Sequence, residues 1–440
     1  MYNLSQFNNY FESSNNFLLI SNSLSSSLIR IPECNKKLFF DKISNIDNVS
    51  KESINELESF GIIVPDFYNE EAIANVRILD TISENVLTLL IVPVFDCDFD
   101  CSYCYESFFD KRMDYSIIDN IEKYLIKNLK DKKQLNICWF GGEPLLAFDI
   151  ISYAMKKFYN ICKKYKIIFN QSIITNGYNL TSEKIESLIK YNCSHIQVTL
   201  DGDRNIHNKY RYLKNKGKTF DQIISNLKYI RDNVKSRFLT VTIRVNVTKD
   251  IFQNIENFIS LLENEFNESK YFRVMWRYVE DWGGEKVKQI QNKLGNLNLM
   301  RKIFSLLKNK KLNINAHTRI FNCGMTVCGA IKKNFYIIGP DSNIFKCTLK
   351  MYKDELCNIG YLDDNGIMVL NNAKEAMWRY VEISKNCKSC KFYPSCMGAN
   401  CPAQRLFYAR NSCPYDKHII KEIVEIITKN NNKICKEVKL

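Results

Sequence analysis

Between Val86 and Trp276 the chain alternates six short apolar runs with longer stretches whose apolar residues recur at helical spacing. VLTLLIVPV (Val86–Val94), LNICWF, QSIIT, HIQVTL, TVTIRV and YFRVMW read as buried strands. The positions Ile117, Ile121, Tyr124 and Leu125, and the stretches Phe148–Tyr165, Thr181–Tyr191, Phe220–Asn233 and Ile255–Phe266, read as helices. Strands alternating with helices specify a parallel sheet with crossover connections. The pattern therefore predicts an α/β fold built on a partial parallel (β/α)6 barrel. In such barrels chemistry collects where the strands end, at their C-terminal side.

The first apolar run ends in CDFDCSYC, which places Cys97, Cys101 and Cys104 on one loop. The chain has 17 cysteines and four scattered histidines. Its N-terminus, MYNLSQFNNYFESS, lacks the basic and apolar regions of a signal peptide. No run reaches the roughly 18 apolar residues of a membrane span. These features predict a cytoplasmic protein without a membrane partner. Disulfides are rare in that compartment, so metal or cluster ligation accounts best for so many thiols. Three thiolates are too few for a closed tetrahedral site, and zinc ligands usually come as CxxC pairs on two loops. The triplet suits a centre with one open position.

The net charge of +14 reflects a sequence rich in Lys, Asn and Ile. It favours acidic partners. No stretch interleaves clustered Arg and Lys with aromatics, which argues against nucleic acid.

Four segments follow from the pattern. Residues 1–84 contain a hairpin, FLLIS and SLIRI around NSLSS, then SKESINELESFG as a helix stopped by Gly61, then the strand IIVP. This is a winged-helix-like α+β unit. Residues 85–310 are the barrel. Residues 311–425 are cysteine-rich with little regular structure, expected to be stapled by metals, and 426–440 read as a frayed tail.

FGGEPLL (Phe140–Leu146) follows the second strand, and its glycines would let a ligand approach the backbone. Together with CDFDCSYCY it resembles the radical SAM superfamily. That resemblance implies a 4Fe-4S cluster on Cys97, Cys101 and Cys104, with S-adenosyl-L-methionine on its open iron. Gly141, Gly142 and Glu143 would meet the cofactor's methionyl amine, and Thr199 would lie near its ribose. ITNG (Ile174–Gly177) and VTLDG (Val198–Gly202) read alone as strand-to-helix turns. His207 and Arg211 resemble an HDxxR stretch of the family, with Asn208 replacing the aspartate.

CGAIKKNFYIIGPDSNIFKC and CKSCKFYPSCMGANC, closed by Cys413, resemble the SPASM extension of peptide-modifying radical SAM enzymes. The resemblance assigns Cys323, Cys328, Cys347 and Cys401 to one auxiliary 4Fe-4S cluster, and Cys387, Cys390, Cys396 and Cys413 to a second. Two features depart from the family: Ser342 stands where glycine is usual, and the spacing from Cys396 to Cys401 is one residue longer. A zinc ribbon on CKSC and CMGANC is the competing reading. Cys34, Cys138, Cys162, Cys193, Cys357 and Cys435 read as packing residues.

The resemblance implies a maturase that installs a cross-link, foremost a thioether, in a ribosomally made, cysteine-rich precursor peptide with an acidic leader. Residues 1–84 resemble the leader-binding module of such enzymes, and a flavodoxin or ferredoxin would supply electrons. Three alternatives stay open: a sulfatase-activating enzyme, an epimerase or carbon–carbon cross-linker, and a non-enzymatic iron–sulfur or zinc peptide-binding protein. In the sulfatase-activating family an aspartate follows the last cysteine of the first SPASM segment, whereas Thr348 follows Cys347 here.

Overall fold

The computed structural model describes residues 2–430 and 436–437, except 15, 47–48, 107–108, 268, 283, 381–382, 399–400 and 410–411. Cys435 lies outside the described residues.

The N-terminal unit begins with β1 (Tyr2–Leu4), followed by the antiparallel meander β2 (Asn8–Ser13), β3 (Phe17–Asn22) and β4 (Ser27–Pro32). Helices Glu33–Ser44 and Lys51–Ser59 follow, the second capped by Ser50, whose hydroxyl accepts from the Ser53 amide. After Gly61, at φ +67°, β5 (Ile63–Pro65) pairs with β1. Leu18, Ile20, Ile29, Ile31, Phe39 and Leu57 form a small core of their own. Helix Glu70–Ser83 leads to the barrel.

Six parallel strands follow: β6 (Val86–Ile91), β7 (Gln134–Trp139), β8 (Ile168–Thr175), β9 (Cys193–Thr199), β10 (Thr240–Val247) and β11 (Phe272–Tyr278). Helices Tyr115–Asn128, Phe148–Tyr165, Ser182–Lys190, Phe220–Asn233 and Ile255–Phe266 cross between them. One row of paired residues runs Ile91, Trp139, Ile173, Ile196, Val241, Phe272, from the last residue of β6 to the first of β11. Such a steady stagger is what tilts strands around a barrel. The core contains Ile137, Ile173, Ile196, Ile243 and Trp276, each 0–1% exposed.

The cysteine-rich region departs from expectation. Its strand β12 (Phe335–Ile338) pairs parallel to β6, and β13 (Asn343–Phe345), β14 (Asn358–Leu362) and β15 (Met368–Leu370) continue antiparallel, giving ten strands in one sheet. Ile337, Ile338, Ile344, Phe345 and Trp378 join the barrel's core, so apolar burial as well as thiols can hold this region. Its β12–β13 turn puts Ser342 at φ +66°, the left-handed conformation that glycine adopts most readily.

The segment expected to fray also differs. Residue 426 falls inside helix Ile420–Asn430, whose Ile423, Val424, Ile426 and Ile427 are buried at helical spacing. Beyond it, β16 (Lys436–Glu437) pairs parallel to β4. No described helix is long and apolar enough to cross a membrane.

Candidate functional site

The three-cysteine loop leaves the C-terminal end of β6 and rests on the turn after β7. A Cβ on Gly142 would stand 2.2 Å from the Asp96 carbonyl oxygen, and one on Gly141 2.3 Å from that of Val94. The Glu143 amide donates to the Asp96 carbonyl at 2.9 Å. The glycines thus admit the backbone of the cysteine loop itself, not only a ligand. The segment after helix Arg204–Tyr210 lies along the loop's other side, where the amides of Asp100, Ser102 and Lys214 bond the carbonyls of Tyr212, Tyr210 and Asp98. Side chains complete the fastening. Asn176 and Asn179 each donate to Asp98 at 2.7 Å. Lys214 pairs with Asp96, and Lys216 and Lys286 with Asp100.

Glu143 is spent inside this scaffold. Its carboxylate is fully buried and accepts from Thr175 Oγ1 at 2.7 Å, the Asn176 amide at 2.7 Å and the Leu145 amide at 3.0 Å. Burial pushes its pKa up to about 7 against those donors. Phe140, Gly141 and Gly142 border the adjoining cavity, whereas the Glu143 carboxylate bonds within the scaffold. ITNG, which reads alone as a turn, supplies the link between Glu143 and Asp98 through Asn176.

A second buried network braces the loop from β9 and β10. The Tyr103 phenol donates to Asp201, the Asn246 amide donates to the same carboxylate at 2.6 Å, and Arg211 Nη1 donates to the Tyr103 oxygen at 2.9 Å. The Asp201 amide donates to His207 Nδ1 at 3.1 Å. The Arg211 guanidinium also lies over the Phe99 ring, 5.5 Å from its centre. Asp201, His207 and Arg211 therefore hold the loop in place. Residues close in sequence do not reveal this, since Tyr103 and Asp201 stand 98 positions apart.

A cavity of about 480 Å³ opens at this end of the barrel, bordered by Cys97, Cys101, Cys104, Gly141, Gly142 and Thr199. Arg211, Arg244 and Glu106 also reach it, as do Thr348 and Leu349 from the cysteine-rich region. Burial raises the pKa of all three thiols, that of Cys104 to about 12. Thiolates here would need a cationic centre to stabilise them. Among the described residues no three His, Cys, Asp or Glu side chains converge as ligands of a single ion. An all-thiolate set spread around a cavity fits an iron–sulfur cluster, whose ligands each take a different iron.

The C-terminal thiols form two groups. Cys396 lies within electrostatic range of Cys390, Cys387 and Cys413, and Lys417 Nζ reaches Cys390 at 3.3 Å and Cys413 at 3.7 Å. Cys328 similarly faces Cys347 and Cys401. Cys323 bonds the Arg77 guanidinium instead. Cys357, expected to be a packing residue, is fully buried beside Cys347, and its thiol donates to the Cys347 carbonyl at 3.2 Å. Cys162 and Cys193 lie in the core and Cys34 is exposed.

Residues 91–262 match the profile of the radical SAM superfamily. The cysteine-type anaerobic sulfatase-maturating enzyme of Clostridium novyi is 25% identical over 339 residues, 70% of this chain and 86% of that protein. The radical SAM cyclopropyl synthase TigE of Paramaledivibacter caminithermalis is 24% identical over 254 residues, 52% of this chain and 51% of that one. Among solved structures, anSMEcpe with bound AdoMet and the Cp18Cys peptide aligns with a TM-score of 0.58 at 16% identity, over 78% of this chain and 97% of that one. Streptococcus suis SuiB bound to the precursor peptide SuiA aligns at 0.50 and 16% identity, over 90% and 95%. The two structures share this fold.

Proposed function

From the premise that this chain is a radical SAM enzyme of the maturase type, we propose that it closes a thioether cross-link in a ribosomally made precursor peptide. The observation that carries the reading is the three-thiol loop seated on Gly141 and Gly142 beside a cavity at the mouth of the partial barrel. Cys97, Cys101 and Cys104 would hold a 4Fe-4S cluster with S-adenosyl-L-methionine, which together supply a primary carbon radical able to take hydrogen from an unactivated C–H bond. The chain's own contribution is position and exclusion of water. The Gly-Gly turn sets the height of the cysteine loop, Asn176 and Asn179 fix Asp98, and the Tyr103–Asp201–Arg211 network closes the cavity's inner wall.

Cys328, Cys347 and Cys401, with Cys323 or Cys357, and Cys387, Cys390, Cys396 and Cys413 would hold two auxiliary clusters. These would accept the second electron that an oxidative cross-link releases. The N-terminal unit would bind the leader by strand addition. A peptide extending β4 would have to displace Lys436–Glu437, which pair there already. A flavodoxin or ferredoxin would serve as electron donor.

Oxidation of a protein cysteine, as in sulfatase maturation, is the second reading. It is favoured by the match to 86% of the Clostridium enzyme and opposed by Thr348. The test is anaerobic reconstitution with S-adenosylmethionine, reductant and peptides encoded by short reading frames flanking the gene. The proposal expects 5′-deoxyadenosine and a peptide lighter by two hydrogens that resists thiol alkylation. Turnover of the cofactor with unchanged peptide mass and free thiols would refute cross-linking.

A further inference from the structure

One carboxylate bordering the cavity is left incomplete by the scaffold. Around the loop, Asp98 is bonded by two asparagines, Asp201 by Tyr103 and the Asn246 amide, and Glu143 by three donors. Glu106 differs. The neighbouring Tyr105 phenol supports its carboxylate, but Oε1 is buried and has no hydrogen-bond partner among the described residues. A buried acceptor left without a donor is costly, and such atoms in native proteins mark a place where something else provides the donor.

The surroundings of Glu106 indicate which end of the cavity it serves. Lys353 Nζ, in the segment after Cys347, donates to the Tyr105 carbonyl. On the other side Gly284 packs so closely that a Cβ there would lie 3.2 Å from the Tyr105 Cα. Tyr105 and Glu106 are thus clamped between the segment after β11 and the segment after Cys347. Those same segments bring Val279, Trp282, Thr348 and Leu349 to the cavity wall. Trp282 is 38% exposed, so this wall of the cavity reaches the molecular surface. The glycine turn and Asn176 border the cavity from the barrel strands instead.

We propose that Glu106 is a substrate-binding carboxylate: Oε1 accepts a hydrogen bond from the target residue of the peptide, from a backbone N–H or a thiol. This rests on the reading of the cavity as a radical SAM site, and the experiment separates the two. Reconstituted wild type, E106Q and E106A, each loaded with S-adenosylmethionine, are titrated anaerobically with N-acetyl-L-cysteine methylamide and with its alanine counterpart. The readouts are iron content, the line shape of the reduced cluster's paramagnetic resonance, and 5′-deoxyadenosine formation.

Wild type is expected to show a saturable change with the cysteine fragment. E106Q should keep its iron and bind the fragment about tenfold more weakly, because one of the two acceptor oxygens becomes an NH2 group that cannot accept. E106A should lose the response. A response to the alanine fragment as well assigns the backbone N–H, and a response to cysteine alone assigns the thiol. Equal response in wild type and E106Q, or no response in wild type, overturns the assignment. Loss of iron in E106Q overturns it too, making Glu106 part of the loop scaffold. Wild type without a cluster or without 5′-deoxyadenosine defeats the underlying radical reading and the proposal with it.

Discussion

Glu143→Gln tests whether the buried carboxylate under the cysteine loop acts as scaffold. The folded-state pKa of Glu143 is about 7 against an ordinary 4.5, chiefly through burial. With the folded pKa raised, the native state binds more protons than the unfolded chain between those values. Stability is therefore greatest below about pH 4.5 and is lost as pH rises through 7. A shift of this size corresponds to about 3 kcal/mol. The substituted glutamine cannot ionise, and its amide would set an N–H against one of the three donors now satisfied by Oε1 and Oε2. That unpaired contact costs about 1–3 kcal/mol at any pH. At pH 5 the variant should be less stable than wild type by that amount. At pH 8 the two should be close, because wild type then carries the cost of the buried charge. Urea unfolding of the metal-free protein at pH 5, 6, 7 and 8 measures the difference. Parallel pH profiles for the two proteins would refute the reasoning.

Gly142→Ala should lift the cysteine loop, since the new Cβ would meet Asp96 backbone at 2.2 Å; a loss of about 1–3 kcal/mol is expected, with iron missing from the three-cysteine site in chemical analysis. Asp416 bonds His317 Nδ1 at 2.7 Å and Arg277 at 3.2 and 3.4 Å. Although burial opposes it, the His317 ring and the Arg277 guanidinium beside it hold its carboxyl below the usual range, so its contribution is present above the ordinary carboxylate pKa and lost as pH falls through the lowered one. Asp416→Asn should cost about 3–5 kcal/mol at neutral pH, read as a lower urea midpoint that converges on wild type in acid. Cys401→Ala should remove about four irons per chain if an auxiliary cube sits there, while Cys193→Ala should remove none.

The barrel strands were legible because apolar residues recur at every second position on the face turned to the core, as with Leu135, Ile137 and Trp139 of β7 or Val241, Ile243, Val245 and Val247 of β10. Phe148–Tyr165, Phe220–Asn233 and Ile255–Phe266 were equally plain, since their apolar positions keep one helical face. β2, with the sequence NNYFES, carries no such signal and gains its place by pairing with β3 and by Ser13 bonding Thr428 of helix Ile420–Asn430. The strands β12 to β15 are too short to read alone, and they become ordered by extending the barrel sheet from β6. Ile423 to Ile427 sat beside a polar tail that masked their periodicity.

At the site, residue spacing alone was enough to identify the three cysteines as a group and to point to the glycines after β7, because those features lie within single loops. It did not disclose why the glycines are there or what Glu143 and Asp201 bond, and it left the partners of Cys323 and Cys357 unread. Those relations join residues tens to hundreds of positions apart, and hydrogen-bond geometry and burial exist only once the chain has closed on itself. Local chemistry grouped the thiols, and packing between distant strands decided where each of them could stand.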